Sequence, residues 1–182
     1  MHTLIVYGSQ EGQTQKIAGH IAKNLQDKGQ QVTSLALDQL PSDLSFDNYD
    51  AVIVGGSIHV GKYPKPLKKF VTTHRDRLNT IPSAFFTVCL AIHSQRVELQ
   101  VAARKYGNDF LDQTGWKPAL TATFAGAVRY TRYNFITRFI MKKISQKEGG
   151  SIDTSRDHEY TDWTRVEQFA DEFVNLGRGQ AV

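Results

Sequence analysis

The sequence predicts an α/β fold: a doubly wound, five-stranded parallel sheet with a basic insert between the fifth strand and the last helix. Three observations carry that expectation. Five short apolar runs rich in β-branched residues recur at 4–7, 32–37, 51–54, 85–90 and 120–127. Each is almost continuously hydrophobic, as a strand covered on both faces must be. Between them the apolar residues fall three or four apart, so strand and helix alternate along the chain.

The first strand empties into Gly8-Ser9-Gln10-Glu11-Gly12-Gln13-Thr14. A helix follows to about Lys28, with Ile17, Ile21 and Leu25 on one face and Gly29 as its stop. The third strand leaves through Gly55-Gly56-Ser57-Ile58-His59-Val60-Gly61-Lys62-Tyr63-Pro64, and the next helix carries Leu67, Phe70 and Val71 inward. The fourth strand runs into Ala91-Ile92-His93-Ser94. A helix over 95–113 then presents Val97, Val101, Phe110 and Leu111, and ends at Gly115. The last helix, over 164–176, buries Val166, Ala170, Phe173 and Val174, and Thr164-Arg-Val-Glu167 reads as a capping box at its start. Residues 129–158 match neither period and form the insert.

Length and composition bound the rest. At 182 residues the chain is one domain, 1–182, and 40% apolar with 22% charged content is globular. The single Cys89 excludes an intramolecular disulfide and a multi-cysteine metal cluster, which suits a reducing compartment. It lies inside an apolar run and reads as a buried small hydrophobe. His2, His20, His74 and His158 show no metal-ligand spacing, so no metal site is expected. No secretory leader is read before the first strand and no apolar stretch reaches membrane-span length, so any membrane contact is expected at the surface.

In a doubly wound sheet, ligands bind beyond the carboxyl ends of the strands where strand order reverses. Three loops leave those ends. The first is built for a phosphate monoester: a helix start offers free N–H groups and a favourable dipole, Ser9 and Thr14 add hydroxyls, and Gly12 allows close approach. It lacks the Gly-Lys-Ser/Thr of nucleotide loops and the Gly-x-Gly-x-x-Gly of dinucleotide sites, so it suits a cofactor held rather than cleaved. Glu11 sits oddly in an anion loop and is expected to face solvent. Gly55 and Gly56 let a flat ligand approach the second loop, or else serve helix–sheet packing alone. With an apolar third loop beside them, these features describe a site for flavin mononucleotide (FMN).

These residues resemble the flavodoxin superfamily and, within it, the quinone-dependent protoporphyrinogen IX dehydrogenases of bacterial haem synthesis. The likeness rests on Gly12-Gln13-Thr14, Ser57-Ile58-x-x-Gly61-x-Tyr63 and Pro82-Ser83-Ala84-Phe85. It rests further on Ala125-Gly126-Ala127-x-Arg129-Tyr130-x-Arg132-Tyr133 and Tyr160-Thr161-Asp162-Trp163. It implies that Ser9, Gln10, Glu11, Gly12, Gln13 and Thr14 hold the FMN phosphate. Ser57, Ile58, His59, Val60 and Gly61, with Leu90, Ala91 and Ile92, would border the flavin ring. His59 and Tyr63 are the aromatics of the second loop and the third has none, so one face of the ring is expected to stay open to a large substrate. No side chain is compelled to act as acid or base; His59 and His93 are candidates by position only.

Electron-carrier flavodoxins are typically acidic, whereas this chain has a net charge of +4. Between Gln113 and Lys147 lie seven basic residues and no acidic one, interleaved with Tyr130, Tyr133, Phe135, Ile136, Phe139, Ile140, Met141 and Ile144. A short amphipathic helix of that composition can sink apolar groups between lipid heads while its cations meet anionic phosphates. A solvated basic face is the plainer alternative. No nucleic-acid recognition module accompanies the segment, so nucleic acid is not expected as a partner. With the resemblance, the reading is oxidation of protoporphyrinogen IX to protoporphyrin IX, with a membrane quinone (menaquinone or ubiquinone) as acceptor. It places the protein peripherally on the cytoplasmic face of the bacterial inner membrane. Arg129 and Arg132 would engage the substrate propionates, and Arg138, Lys142 and Lys143 the anionic membrane surface. A flavodoxin-like NAD(P)H:quinone reductase and a non-catalytic electron-transfer flavodoxin remain as alternatives.

Overall fold

Leu4 and Val6 face one apolar layer and Ile5 and Tyr7 the other, so the first strand is buried from both sides. That strand, β1 (His2–Gly8), lies near the middle of a sheet whose other members are β2 (Gln31–Ala36), β3 (Ala51–Ser57), β4 (Ser83–Val88) and β5 (Leu120–Phe124). All neighbours are parallel and the order is β2-β1-β3-β4-β5. The computed structural model describes residues 1–135, 139, 142–143, 145–146, 151 and 153–179.

Helices α1 (Gln13–Asp27) and α4 (Trp163–Gly179) cover one face, where Ile17, Ile21, Leu25, Phe169 and Phe173 meet Ile5, Ile53 and Phe86. Helices α2 (Lys65–Leu78) and α3 (Val97–Thr114) cover the other, where Leu67, Phe70, Val71 and Phe110 meet Leu4, Val52, Val54 and Phe85. This is the layered arrangement expected from the alternation of apolar runs and helical spacing.

Departures from the sequence expectation have local reasons. Strand β4 ends at Val88, and Leu90 opens a 3₁₀ turn (Leu90–His93). Helix α3 turns Ala103, Gly107, Phe110 and Thr114 inward, while Val97 and Val101 are 66% and 56% exposed. A Cβ on Gly107 would sit 3.4 Å from Thr87 Oγ1, so the helix rides closely on β4 through its small residues. The fifth run breaks at Ala125-Gly126: Ala127–Val128 form a separate strand, β6, antiparallel to β7 (His158–Glu159), and this ladder closes the base of the insert. Helix α4 is capped by Asp162, whose Oδ1 accepts from the Arg165 N–H at 3.3 Å. Thr164 and Glu167 already lie inside that helix, and Glu167 meets His20 at 3.1 Å instead of closing a capping box.

Within the insert, Phe135, Phe139, Lys142, Lys143, Ser145 and Gln146 are helical, with Phe135 85% and Phe139 54% exposed. Tyr130 is fully buried and Tyr133 half-buried, so both leave the expected exposed stripe and pack back on the domain. Arg138, together with Ile136, Ile140, Met141 and Ile144, lies outside the described residues. Among the described residues no helix is long and apolar enough to cross a membrane.

Candidate functional site

The register places Gly8 beside Gly56, and Ser57 beside Val88, so the loops after β1, β3 and β4 leave one edge of the sheet side by side. Pairing continues past the strands: the Ile58 N–H donates to the Val88 carbonyl at 2.9 Å and the Cys89 N–H to the Phe124 carbonyl at 3.0 Å. The reversal of strand order falls between β1 and β3, where a ligand crevice is expected.

The first loop is closed on itself. The Gly12 N–H donates to Ser9 Oγ at 3.0 Å, which leaves the Ser9 hydroxyl proton free to donate outward. Gly12 caps α1 with φ at 88°, and a Cβ there would meet nothing within 4 Å. The demand for glycine is therefore conformational rather than one of crowding. Lys16 N–H to Gly12 C=O begins the helical ladder at 3.0 Å, so the N–H groups of the first turn before it have no intrahelical acceptor. Thr14 is buried in that turn and Gln10 is exposed.

Gln13, buried at the head of α1, bonds to two distant segments. Its Oε1 accepts from Arg129 Nη2 at 3.0 Å, and its Nε2 donates to Thr161 Oγ1 at 2.9 Å. Thr161 in turn donates to the Ala125 carbonyl at 2.8 Å. Nearby, Lys16 pairs with Glu159 at 2.7 Å. Burial works against ionisation of Glu159, but Lys16, Trp163 and Gln13 outweigh it and hold its carboxyl below the ordinary range. Glu11 does not face solvent, as the sequence suggested; it accepts a 2.9 Å hydrogen bond from the Tyr133 hydroxyl. Arg129 is likewise engaged, with Nη1 3.5 Å from Asp157, which also accepts from the Thr131 N–H and hydroxyl. Arg132 is exposed.

In the second loop, Ser57 Oγ lies 3.0 Å from His59 Nε2. His59 and Lys62 exchange backbone hydrogen bonds at 3.0 and 3.1 Å around Val60 and Gly61, which take φ of 50° and 73°. A β-branched residue in that region is strained, and Val60 is also fully exposed at the hairpin tip. Burial lowers the His59 pKa, with the Glu11 charge partly offsetting it. The Gly55-Gly56 pair serves packing: a Cβ on Gly55 would come within 2.0 Å of the Phe86 ring and one on Gly56 within 2.3 Å of Leu67. Nor does Tyr63 face the crevice. Its hydroxyl meets Thr87 Oγ1 at 2.6 Å and its ring packs on Phe85 and Phe110, and burial drives its pKa upward.

In the third loop Leu90, Ala91 and Ile92 are half-buried, and Ile92 also lines a cavity of ≈ 310 Å³ with Thr87, Phe124 and Phe169. His93 stacks obliquely on Tyr160, ring centroids 4.5 Å apart. The third loop thus borrows an aromatic from the far end of the insert. Tyr160, Thr161 and Asp157 had no role assigned from sequence, although Tyr160-Thr161 stood among the motifs of the resemblance.

A 2-1-3-4-5 parallel sheet with a hydroxyl-lined, lysine-free anion loop at its switch point defines a flavodoxin-type protein. The flavodoxin domain family model matches residues 4–155, and the chain belongs to that family. It is 36% identical over 176 residues to the protoporphyrinogen IX dehydrogenase (quinone) of Escherichia coli K12, spanning 97% of this chain and 96% of that protein. It is 32% identical over 174 residues to the protein of the same name from Leishmania major, spanning 95% of this chain and 74% of that one. Among solved structures, oxidised flavodoxin 1 from Bacillus cereus aligns with TM-score 0.54 at 16% identity, over 96% of this chain and 98% of that one, a likeness of fold. The cofactor this fold implies is FMN. The residues present fit it: a pre-closed loop with a free hydroxyl, a helix start without a side-chain cap and a left-handed glycine suit a phosphate.

Proposed function

We propose that this chain is an FMN-dependent protoporphyrinogen IX dehydrogenase that uses a membrane quinone as electron acceptor. The observation that carries the reading is the junction of insert and cofactor loop. Arg129 on Gln13 and Tyr133 on Glu11 fasten the base of a basic, aromatic-bearing segment to the head of α1. With Arg129 and Tyr133 held beside the first loop, a macrocyclic substrate and a bilayer quinone would both arrive at that mouth of the crevice. The near full-length identity to proteins of that name supports the same reading.

Each side chain then has a task. Ser9, Gly12, Gln13 and Thr14 hold the phosphate through N–H and hydroxyl donors. Ile58, Leu90 and Ala91 offer half-buried apolar edges to the ring, and the Ser57–His59 bond sets the shape of the second loop. His59, kept neutral by burial, leaves one ring nitrogen able to accept a proton at the crevice. Arg132, exposed just beyond Arg129, is placed to pair with a substrate propionate. Phe135 and Phe139 are exposed and the Lys143 ammonium lies over the Phe139 ring, a composition suited to anionic lipid on the cytoplasmic face of the inner membrane. When bound, FMN supplies the redox chemistry, accepting electrons from the reduced macrocycle and releasing them to quinone over several rounds.

The test is anaerobic turnover of protoporphyrinogen IX by the FMN-loaded protein with a water-soluble quinone, followed by porphyrin fluorescence. Quinone-dependent porphyrin formation, with no bleaching of the flavin by NADPH alone, is the expected result. Rapid bleaching by NADPH without porphyrinogen turnover would instead make the protein a nicotinamide-dependent quinone reductase.

A further inference from the structure

We infer that Arg129 is a cofactor-phosphate residue: its guanidinium, carried on the base of the insert, closes the phosphate cradle and supplies the cation that the first loop lacks. The inference rests on the FMN reading above. No lysine or arginine occurs among residues 9–15, and Glu11 adds a negative charge beside the place where a phosphate dianion would sit. The next cation in sequence, Lys16, is committed to Glu159 at 2.7 Å. Positive charge brought from elsewhere in the chain would offset the Glu11 carboxylate.

Arg129 is positioned to provide it. Its Nη2 reaches Gln13 Oε1 at 3.0 Å, and Gln13 is the first residue of α1, whose N–H is among the unpaired donors of the helix start. Its Nε is fully buried and, among the described residues, has no hydrogen-bond partner. The contact of Nη1 with Asp157 is long, at 3.5 Å. A guanidinium has five donors in a rigid fork, and here the fork is braced on two sides yet under-satisfied. Part of the side chain, 22% of its surface, stays accessible, and a phosphate oxygen is the acceptor that a guanidinium matches best.

The neighbours fit a division of labour. Asp157, held low by the Thr131 backbone and side chain and by Arg129 against the cost of burial, fixes the guanidinium from behind. The Tyr133 hydroxyl occupies Glu11 Oε2, which limits the carboxylate's repulsion of an incoming anion. The Arg129 side chain is 22% exposed, whereas Arg132, three residues on, is open to solvent. Arg129 faces the cofactor, and Arg132 is left for the substrate.

The discriminating measurement compares FMN with riboflavin, which has the same ring and no phosphate. Apoprotein is titrated with each, following quenching of flavin fluorescence, for wild type, Arg129→Ala, Arg129→Lys and Arg132→Ala. In Arg129→Ala the FMN affinity should fall at least about tenfold while riboflavin affinity stays within about twofold. Arg129→Lys should recover part of the loss, and Arg132→Ala should change neither ligand. Unchanged FMN affinity in Arg129→Ala would overturn the inference, as would an equal fall for both flavins, which marks a purely structural prop. Arg129→Gln, shorter and uncharged but with an amide donor, carries the same comparison should the alanine variant not fold. Failure of the wild type to bind FMN would sink the cofactor reading itself, a different outcome from any of these.

Discussion

The phenol of Tyr133 donates a 2.9 Å hydrogen bond to Glu11 across 122 positions of sequence, tying the start of the insert to the loop at the head of α1. Burial, followed by the bond to Glu11, raises the Tyr133 pKa, so the phenol stays a neutral donor throughout the physiological range. The carboxylate in the anion loop is therefore managed by the insert rather than by solvent.

Removing that donor should be felt at the cofactor. In Tyr133→Phe the carboxylate loses its phenol, and we expect FMN affinity to weaken several-fold, with a stability loss of about 1 kcal/mol. Adding Glu11→Gln in the same chain should restore FMN affinity, because the repulsive charge is gone. Fluorescence titration and urea denaturation of the single and double variants check this; an additive double variant would show that the two side chains are not coupled.

Gly12→Ala is expected to lose about 1–2 kcal/mol of stability, the cost of holding a side-chain-bearing residue in the left-handed region. The added methyl meets no neighbour within 4 Å, so the penalty belongs to the backbone. If the loop relaxes to relieve it, the Gly12–Ser9 bond opens and FMN binding falls with it. A variant of wild-type stability and FMN affinity would show that the strained turn is not needed.

The sheet was legible because its signal is local. β1, β3 and β4 are buried on both faces and so read as unbroken apolar runs, and α1 and α4 show their inward stripes at helical spacing. The strand–turn–helix geometry of the first loop was legible for the same reason, since its three parts are contiguous. What the sequence did not disclose depends on distance. Nothing near Gln13 announces that Arg129 and Thr161 will meet it, and nothing near Glu11 points to Tyr133. The choice between the two roles open to Gly55-Gly56 was hidden for a similar reason: the Phe86 and Leu67 side chains that exclude a Cβ come from β4 and α2. On α3, Val97 and Val101 kept the helical period but stand exposed, because the close approach to β4 runs through Gly107 on another face.

Acid should loosen the second loop in a predictable direction. Burial holds the folded-state pKa of His59 below its unfolded value near 6.5, so the folded form binds the proton less readily. Its contribution to stability is fully present above about pH 6.5 and is lost as pH falls through the folded pKa. His74 is shifted downward by burial too and will add to the same decline. The difference between wild type and His59→Gln isolates the loop, because Gln can still bond to Ser57 but does not titrate. We expect the wild type to lose more stability than the variant between about pH 7.5 and pH 5, read from urea midpoints. Parallel curves would remove His59 as a source of the pH dependence.

Attachment to a bilayer surface is expected to need both the charge and the aromatics of the insert. Phe135 and Phe139 are 85% and 54% exposed, an unusual state for large apolar rings, and the Lys143 ammonium lies 4.7 Å from the Phe139 ring centroid. Such a pairing lets the ring enter the headgroup layer while the ammonium stays at the level of the lipid phosphates. Each cation near an anionic surface contributes about 1 kcal/mol, decaying within a Debye length, so salt should weaken binding substantially. The two phenylalanines should keep it from vanishing at high salt. Replacing Arg138, Lys142 and Lys143 with Glu should release the protein from anionic vesicles and slow turnover with a bilayer quinone, while turnover with a water-soluble quinone persists. Phe135→Ser with Phe139→Ser should instead abolish the salt-resistant fraction and leave binding at low salt partly intact. Co-sedimentation with phosphatidylglycerol vesicles at low and high salt separates the two contributions. Equal sedimentation of the wild type and the charge-reversed form would return the insert to a solvated basic face.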